Sequence, residues 1–121
     1  MIMTIEIYQI EAKDENRDII FNDYENVKKY IPNLYENFKN RYKKVFTDCR
    51  EQEDKTDMEI LEDLFYEFNM EHPENYKGKS LSVSDIVVLS KAPYDIAETP
   101  YFCDRFGWEQ IRKEWFICNI D

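Results

Sequence analysis

Hydrophobic and polar positions alternate near the start of the chain. Met3, Ile5 and Ile7 are interleaved with Thr4, Glu6 and Tyr8, a period of two that predicts a half-buried strand over 3–10. A charged turn follows, then Ile19, Ile20 and Phe21, which read as a second short strand or a packed loop. Asn22 and Asp23 are suited to cap a helix, and Tyr24, Val27 and Ile31 recur at helical spacing, so a short helix is expected at about 23–30 with Pro32 at its end. Leu34, Tyr35, Phe38 and Tyr42 again have helical spacing. From Tyr42 to Cys49 the pattern fits either a helix or a strand, and a strand is favoured at about 43–48.

The clearest helix runs over 57–69. Thr56 and Glu59 form a capping box, and Leu61, Leu64, Phe65 and Phe68 make an apolar stripe at i, i+3, i+4 and i+7. Glu59, Glu62, Asp63 and Glu67 face the other way. Asn69 is the expected C-cap region, and His72-Pro73 prevents continuation. Pro73 to Gly78 is a turn, and Leu81 and Val83 then alternate with three serines on the way into a strand. Ile86 to Leu89 is a continuous apolar run without charge, the mark of a strand covered on both faces. A loop over 91–100 leads to a last strand at 101–106, antiparallel to it, which Gly107 breaks before a short helix or irregular segment. The expected fold class is α+β: an antiparallel sheet of four or five strands with two to three helices packed mainly on one face. The expected core is Ile5, Ile7, Phe21, Leu61, Leu64, Phe65, Phe68, Val83, Ile86, Val88 and Phe106.

Length makes this the size of one ordinary domain: 121 residues, with only two glycines and four prolines to build linkers. A single domain over 1–121 is expected. Nineteen aromatic residues (nine Tyr, eight Phe and two Trp) supply core and rigid contact surface alike. Three cysteines without CxxC spacing and one histidine make no zinc set, and reduced thiols in a cytoplasmic protein are expected. No apolar run approaches the roughly 20 residues that cross a bilayer, and the N-terminus lacks a basic region of the secretory type.

Charge changes the picture most. The net charge is −10, and residues 51–76 alone hold ten carboxylates against Lys55. Direct binding of a phosphate backbone through that segment is disfavoured.

The stretch His72 to Leu89, HPENYKGKSLSVSDIVVL, followed by YFCDRFGWEQI from Tyr101, resembles the YodL-like domain of small proteins in Gram-positive conjugative and other mobile elements. That family has a phrase like HP…Y.G.SLSVSDVVVL followed by YYCDSFGF. The matching positions are His72, Pro73, Tyr76, Gly78, Ser80 to Asp85, Val87 to Leu89, Tyr101, Cys103, Asp104, Phe106 and Gly107. IEIYQI and RDIIFNDYENV are similar to the family's opening, and Trp108 stands where the family usually has Phe. The resemblance covers most of the chain, least clearly 31–55. It implies a mobile-element accessory protein in a bacterial cytoplasm and no particular reaction.

His72 with Ser82 or Ser84 has the elements of a hydrolytic site but no nucleophile elbow, and serines entering a strand more often bond backbone. Asp85, Asp104 and the helix carboxylates lack the spacing of a calcium loop. Lys39, Arg41, Lys43 and Lys44 with Tyr35, Phe38 and Tyr42 form one basic-aromatic patch that would suit stacking on single-stranded nucleic acid or pairing with an acidic helix. No enzyme activity, cofactor or metal is expected.

The acidic helix offers more. Glu59, Asp63 and Glu67 recur every fourth residue, so their carboxylates rise roughly 6 Å per step. Such a row serves either as a solvated face or as a mimic of a nucleic-acid backbone toward a basic groove. The leading expectation is a DNA-mimic inhibitor, anti-CRISPR-like, of a host nucleic-acid enzyme such as a CRISPR nuclease. Its contact residues would be Glu59, Glu62, Asp63, Glu67 and Glu71. The alternative is a protein-binding adaptor in conjugation or plasmid maintenance. Either would be a monomer or homodimer that binds protein and neither nucleic acid nor membrane.

Overall fold

The computed structural model describes residues 2–30, 41–51, 54–71, 74, 76, 78–92 and 98–111. Strand β1, Ile2–Ile10, is followed by a 3-10 turn at Asp14–Asn16 and helix α1, Tyr24–Tyr30. Strand β2 is Tyr42–Glu51, helix α2 is Asp57–Met70, and strands β3, β4 and β5 are Ile86–Ala92, Glu98–Asp104 and Gly107–Gln110. The strands form a five-stranded sheet in the order β2-β1-β3-β4-β5, antiparallel at every step. This is the expected α+β arrangement. The apolar run at Ile86 to Leu89 lies at its centre, between β1 and β4.

Alternation along β3 sorts the core into two layers. Val87 and Leu89 join Met3, Ile5, Ile7, Phe46 and Tyr101 beneath Ile60, Leu61, Leu64 and Phe68 of α2. Ile86 and Val88 point the other way, with Tyr8, Ile10, Tyr42, Phe102 and Ile111, against Ile19 of the loop before α1 and Val27 of α1. The larger helix thus covers one face and the short α1 lies on the other.

Helix α2 is fixed at both ends. Thr56 Oγ1 accepts from the Glu59 N–H at 3.2 Å while Glu59 Oε1 accepts from the Thr56 N–H at 3.1 Å, so the capping box forms as expected. Tyr101 of β4 donates its hydroxyl to Asp57 at 2.6 Å. Toward the other end, Phe68 packs edge-on against Phe46 of β2 at 4.9 Å and Tyr76 at 4.7 Å between centroids. Arg50 of β2 also grips Glu67 with two bonds of 2.6 and 2.8 Å. The helix continues one residue past the expected end, and Glu71 is its C-cap.

Several expectations need correction. The strand favoured at about 43–48 is longer: β2 begins at Tyr42 and runs on through Arg50 and Glu51. A bulge interrupts it: Ile7 pairs with Phe46 but Tyr8 with Lys44, leaving Val45 as an extra residue. Tyr42 and Phe46 therefore join opposite layers, and a clean period of two is lost. Ile19 to Phe21 is a packed loop in which Ile19 is buried and Phe21 is 54 % exposed. In α2, Ile60 is buried and Phe65 is 38 % exposed, so the stripe is rotated from the expected one. Val83 is only half-buried. Phe106 is 99 % exposed, because Asp104 pairs with Gly107 and places Arg105-Phe106 at a hairpin tip. Gly107, at φ +101°, opens β5 rather than ending the sheet, which places Trp108 in a strand. The helical spacing of Leu34, Tyr35 and Phe38 and the segment from 112 onward lie outside the described residues.

Two substitutions separate the observed core from the expected one. Phe68→Ala should cost about 3–5 kcal/mol in urea unfolding. Phe106→Ala should stay within about 0.5 kcal/mol of the parent, since it removes no buried contact. Comparable losses for both would contradict this packing.

Candidate functional site

The most tightly organised polar group in the described residues is a cluster around Asp85. Its side chain is completely buried at the entry to β3. Oδ2 accepts from the Ser82 N–H at 2.8 Å and from Gln9 Nε2 at 3.0 Å. Oδ1 has no hydrogen-bond partner among the described residues and faces Lys79 Nζ at 4.0 Å. Burial drives its pKa from the ordinary 3.8 to about 7, against the opposing pull of the Ser82 N–H, Lys79 and Gln9.

Gln9 of β1 is the hub. Its Nε2 also lies 2.9 Å from Tyr76 Oη and 2.9 Å from the Lys79 carbonyl, so its two hydrogens are shared among three acceptors, and its Oε1 accepts from the Lys79 N–H at 3.2 Å. The Tyr76 hydroxyl donates to that same carbonyl. Gly78 lies in the fold of this cluster. A Cβ there would stand 2.5 Å from Gln9 Oε1 and 2.8 Å from the Tyr76 hydroxyl, so close approach explains the glycine.

Ser84 closes the other side in a left-handed conformation, φ +84°. Its N–H donates to the Cys103 carbonyl at 2.9 Å, its carbonyl accepts from the Tyr42 hydroxyl at 2.8 Å, and its Oγ accepts from the Phe21 N–H at 3.0 Å. Three contacts over-determine a strained backbone. The Tyr42 pKa is driven well up, first by burial and then by Asp85. The serine stretch is thus a turn rather than a strand entry, and Ser84 bonds backbone.

The outer face of α2 is a second surface. Of the expected contact carboxylates, Glu59 belongs to the capping box, whose backbone bond holds its pKa below the usual range. Asp63 accepts from Lys55 Nζ at 2.7 Å, and Glu67 is held by Arg50. Glu62 and Glu71 are exposed and have no ion pair among the described residues. Among these carboxylates stand exposed Met58, Phe65, Tyr66 and Met70. The acidic row is therefore partly spent within the molecule, and the surface around it is partly apolar.

A family model for the YodL-like domain matches residues 4–114. The chain belongs to the YodL-like domain family. No curated protein and no solved structure matches it. Within the stretch His72 to Leu89 that resembles the family, Tyr76, Gly78 and Asp85 belong to the buried cluster, while the carboxylates of α2 lie outside it. That stretch thus encodes how the loop is locked to β1.

The remaining candidates separate in space. His72 lies outside the described residues, so a site joining it to Ser82 or Ser84 does too. Of the basic-aromatic patch, Tyr35, Phe38 and Lys39 lie outside them as well. Tyr42 is buried, Arg41 bonds Glu15 and Asn16, and Lys44 pairs with Glu6 at 2.8 Å, so these three are engaged within the molecule, while Lys43 is exposed. Cys49 is exposed and Cys103 buried, both as free thiols, and burial pushes the Cys103 thiol to about 12. Cys118 lies outside the described residues. Among the described residues no group of three metal-ligating side chains converges, and no helix is long and apolar enough to cross a membrane. Gln9 was not foreseen as a site residue. A polar residue inside an alternating strand, at a position due to face the core, was the available signal.

Asp85 makes stability pH-dependent in a defined direction. Its folded pKa of about 7 exceeds the ordinary 3.8, so the folded state holds the proton more tightly. The contribution is full below about pH 4 and is lost as pH rises through about 7. Asp85→Asn keeps an acceptor for Ser82 and Gln9 and should flatten the fall in thermal midpoint over that range; an unchanged slope would refute the assignment. Gly78→Ala should cost about 1–3 kcal/mol in chemical denaturation by displacing the Gln9 amide.

Proposed function

We propose that this YodL-like protein is a non-enzymatic interaction protein of a bacterial mobile element that inhibits a nucleic-acid enzyme of the host. It acts in the cytoplasm and lays the outer face of α2 in that enzyme's basic groove, as a CRISPR nuclease would offer. The observation that carries this reading is the placement of charge: the segment 51–76 holds ten carboxylates against one lysine, and α2 turns Glu59, Glu62 and Asp63 to solvent. Such a face speeds encounter with a cationic groove and excludes nucleic acid from it. A non-enzymatic role is supported by Asp85, whose carboxyl is enclosed by bonds that shape the loop. The adaptor reading keeps one observation in its favour, the exposed Met58, Tyr66 and Met70 on the same helix.

The structural ties on α2 decide how to test this. Reversing Glu59 would remove the cap, and reversing Glu67 would set two cations against each other at Arg50. Glu62 and Glu71 are the informative positions. Affinity capture from host lysate should retain a nucleic-acid enzyme that the parent protein inhibits. Glu62→Lys with Glu71→Lys should slow association with it about tenfold at low salt, with an unchanged circular dichroism spectrum. Full inhibition by the double variant, or capture of no such enzyme, would overturn the proposal.

A further inference from the structure

Three of the exposed apolar side chains of α2 are not scattered. Met58, Tyr66 and Met70 stand with Glu62 at successive four-residue steps, a single row along the helix, at 45 %, 67 % and 65 % exposure for the apolar members. The row extends about 18 Å. Phe65, 38 % exposed, flanks it on one side. Glu59, Asp63 and Glu67, also at four-residue steps, form the neighbouring row on the other side. Lys55, Met58, Glu59, Glu62 and Asp63 line a depression at the N-terminal end of this face.

A row of carboxylates alone would suit a phosphate-binding groove. The apolar row beside it calls for more than charge, because large apolar side chains gain little against a wet cationic wall unless that wall also offers an apolar ridge. Rows at four-residue steps are the ridges by which helices interlock. Methionine and tyrosine adapt their shape at low cost and are enriched at contact surfaces. The charge on both rows selects a partner ridge bordered by lysine or arginine.

We propose that the outer face of α2 docks a cationic amphipathic helix of the protein partner, with Met58, Tyr66 and Met70 as apolar anchors and Glu62 and Glu71 meeting its basic side chains. This rests on the reading of α2 as the contact face and adds the chemistry of what it contacts. The apolar row sets how long the complex lasts, and the carboxylates set how fast it forms.

The test uses the full chain and two synthetic probes of about five helical turns: an amphipathic leucine–lysine peptide and an oligolysine of equal charge. Titration calorimetry should find the leucine–lysine peptide bound one to one, at least about tenfold tighter than oligolysine, and still bound at high salt, where surface charge is screened. Met58→Ser, Tyr66→Ser and Met70→Ser together should erase that preference while leaving the weak binding of oligolysine. Tyr66→Ser alone, at the most exposed of the three positions, should reduce it if the triple variant does not fold. Equal affinity for both peptides, lost together at high salt and weakened only by Glu62→Lys with Glu71→Lys, would overturn the apolar docking but leave the acidic contact face standing. Binding insensitive to both sets of substitutions would remove both readings. Concentration-dependent self-association in sedimentation, abolished by the triple variant, would make the occupant a second copy of this chain and also overturn the proposal.

Discussion

A carboxyl group taken wholly out of water must find donors, and in this fold Asp85 finds them on Ser82 and on Gln9 of the first strand. Much else follows from that requirement. The Gln9 amide simultaneously binds both sides of Lys79, so the loop before β3 is closed onto β1. Gly78 is needed where that loop passes the amide, and Tyr76 is oriented so that its ring meets Phe68 of α2. The backbone of Asp85 in turn accepts from Cys103, which begins the pairing of β3 with β4. One buried polar cluster therefore sets the entry of the central strand and helps seat the principal helix.

That arrangement separates what holds the molecule together from what it offers outward. Where described, the residues that carry the resemblance to the family are mostly interior or in turns. The outward-facing chemistry lies on α2, whose inner stripe is clamped by Phe46 and Tyr76 and whose ends are tied to β4 and β2. A helix held in this way presents its outer side chains on a rigid support, so little ordering cost attends their use in binding. The ion pairs of Glu67 and Asp63 within the molecule reduce the bare charge of that face, and the remaining charge is mixed with methionine and tyrosine.

Local signals in the chain were strong where neighbours in sequence make the contacts. The capping box at Thr56, the uncharged run at Ile86 to Leu89 and the first alternating strand were all legible, because each depends on residues within a few positions of one another. Phase was less legible than period. A helical stripe can be rotated by one residue without changing its spacing, and only packing of the helix into the core beside the sheet made Ile60 an inner residue and Phe65 an outer one. Phe21 and Phe106 are aromatic residues in short apolar surroundings, yet a left-handed turn and a hairpin tip direct them to solvent. The bulge at Val45 disguised the second strand by breaking its alternation.

By itself the sequence determined the α+β class, the family, the principal elements and the concentration of charge in one segment. These are properties of composition and of short-range spacing. Only the tertiary structure decided that Gln9 would serve Asp85 across 76 residues, and that Arg50 would take up Glu67 across 17. It likewise decided which carboxylates of α2 are taken up by ion pairs within the molecule. Contacts of that separation arise when the sheet and helix close on one another. No periodicity records them, because they depend on which faces meet.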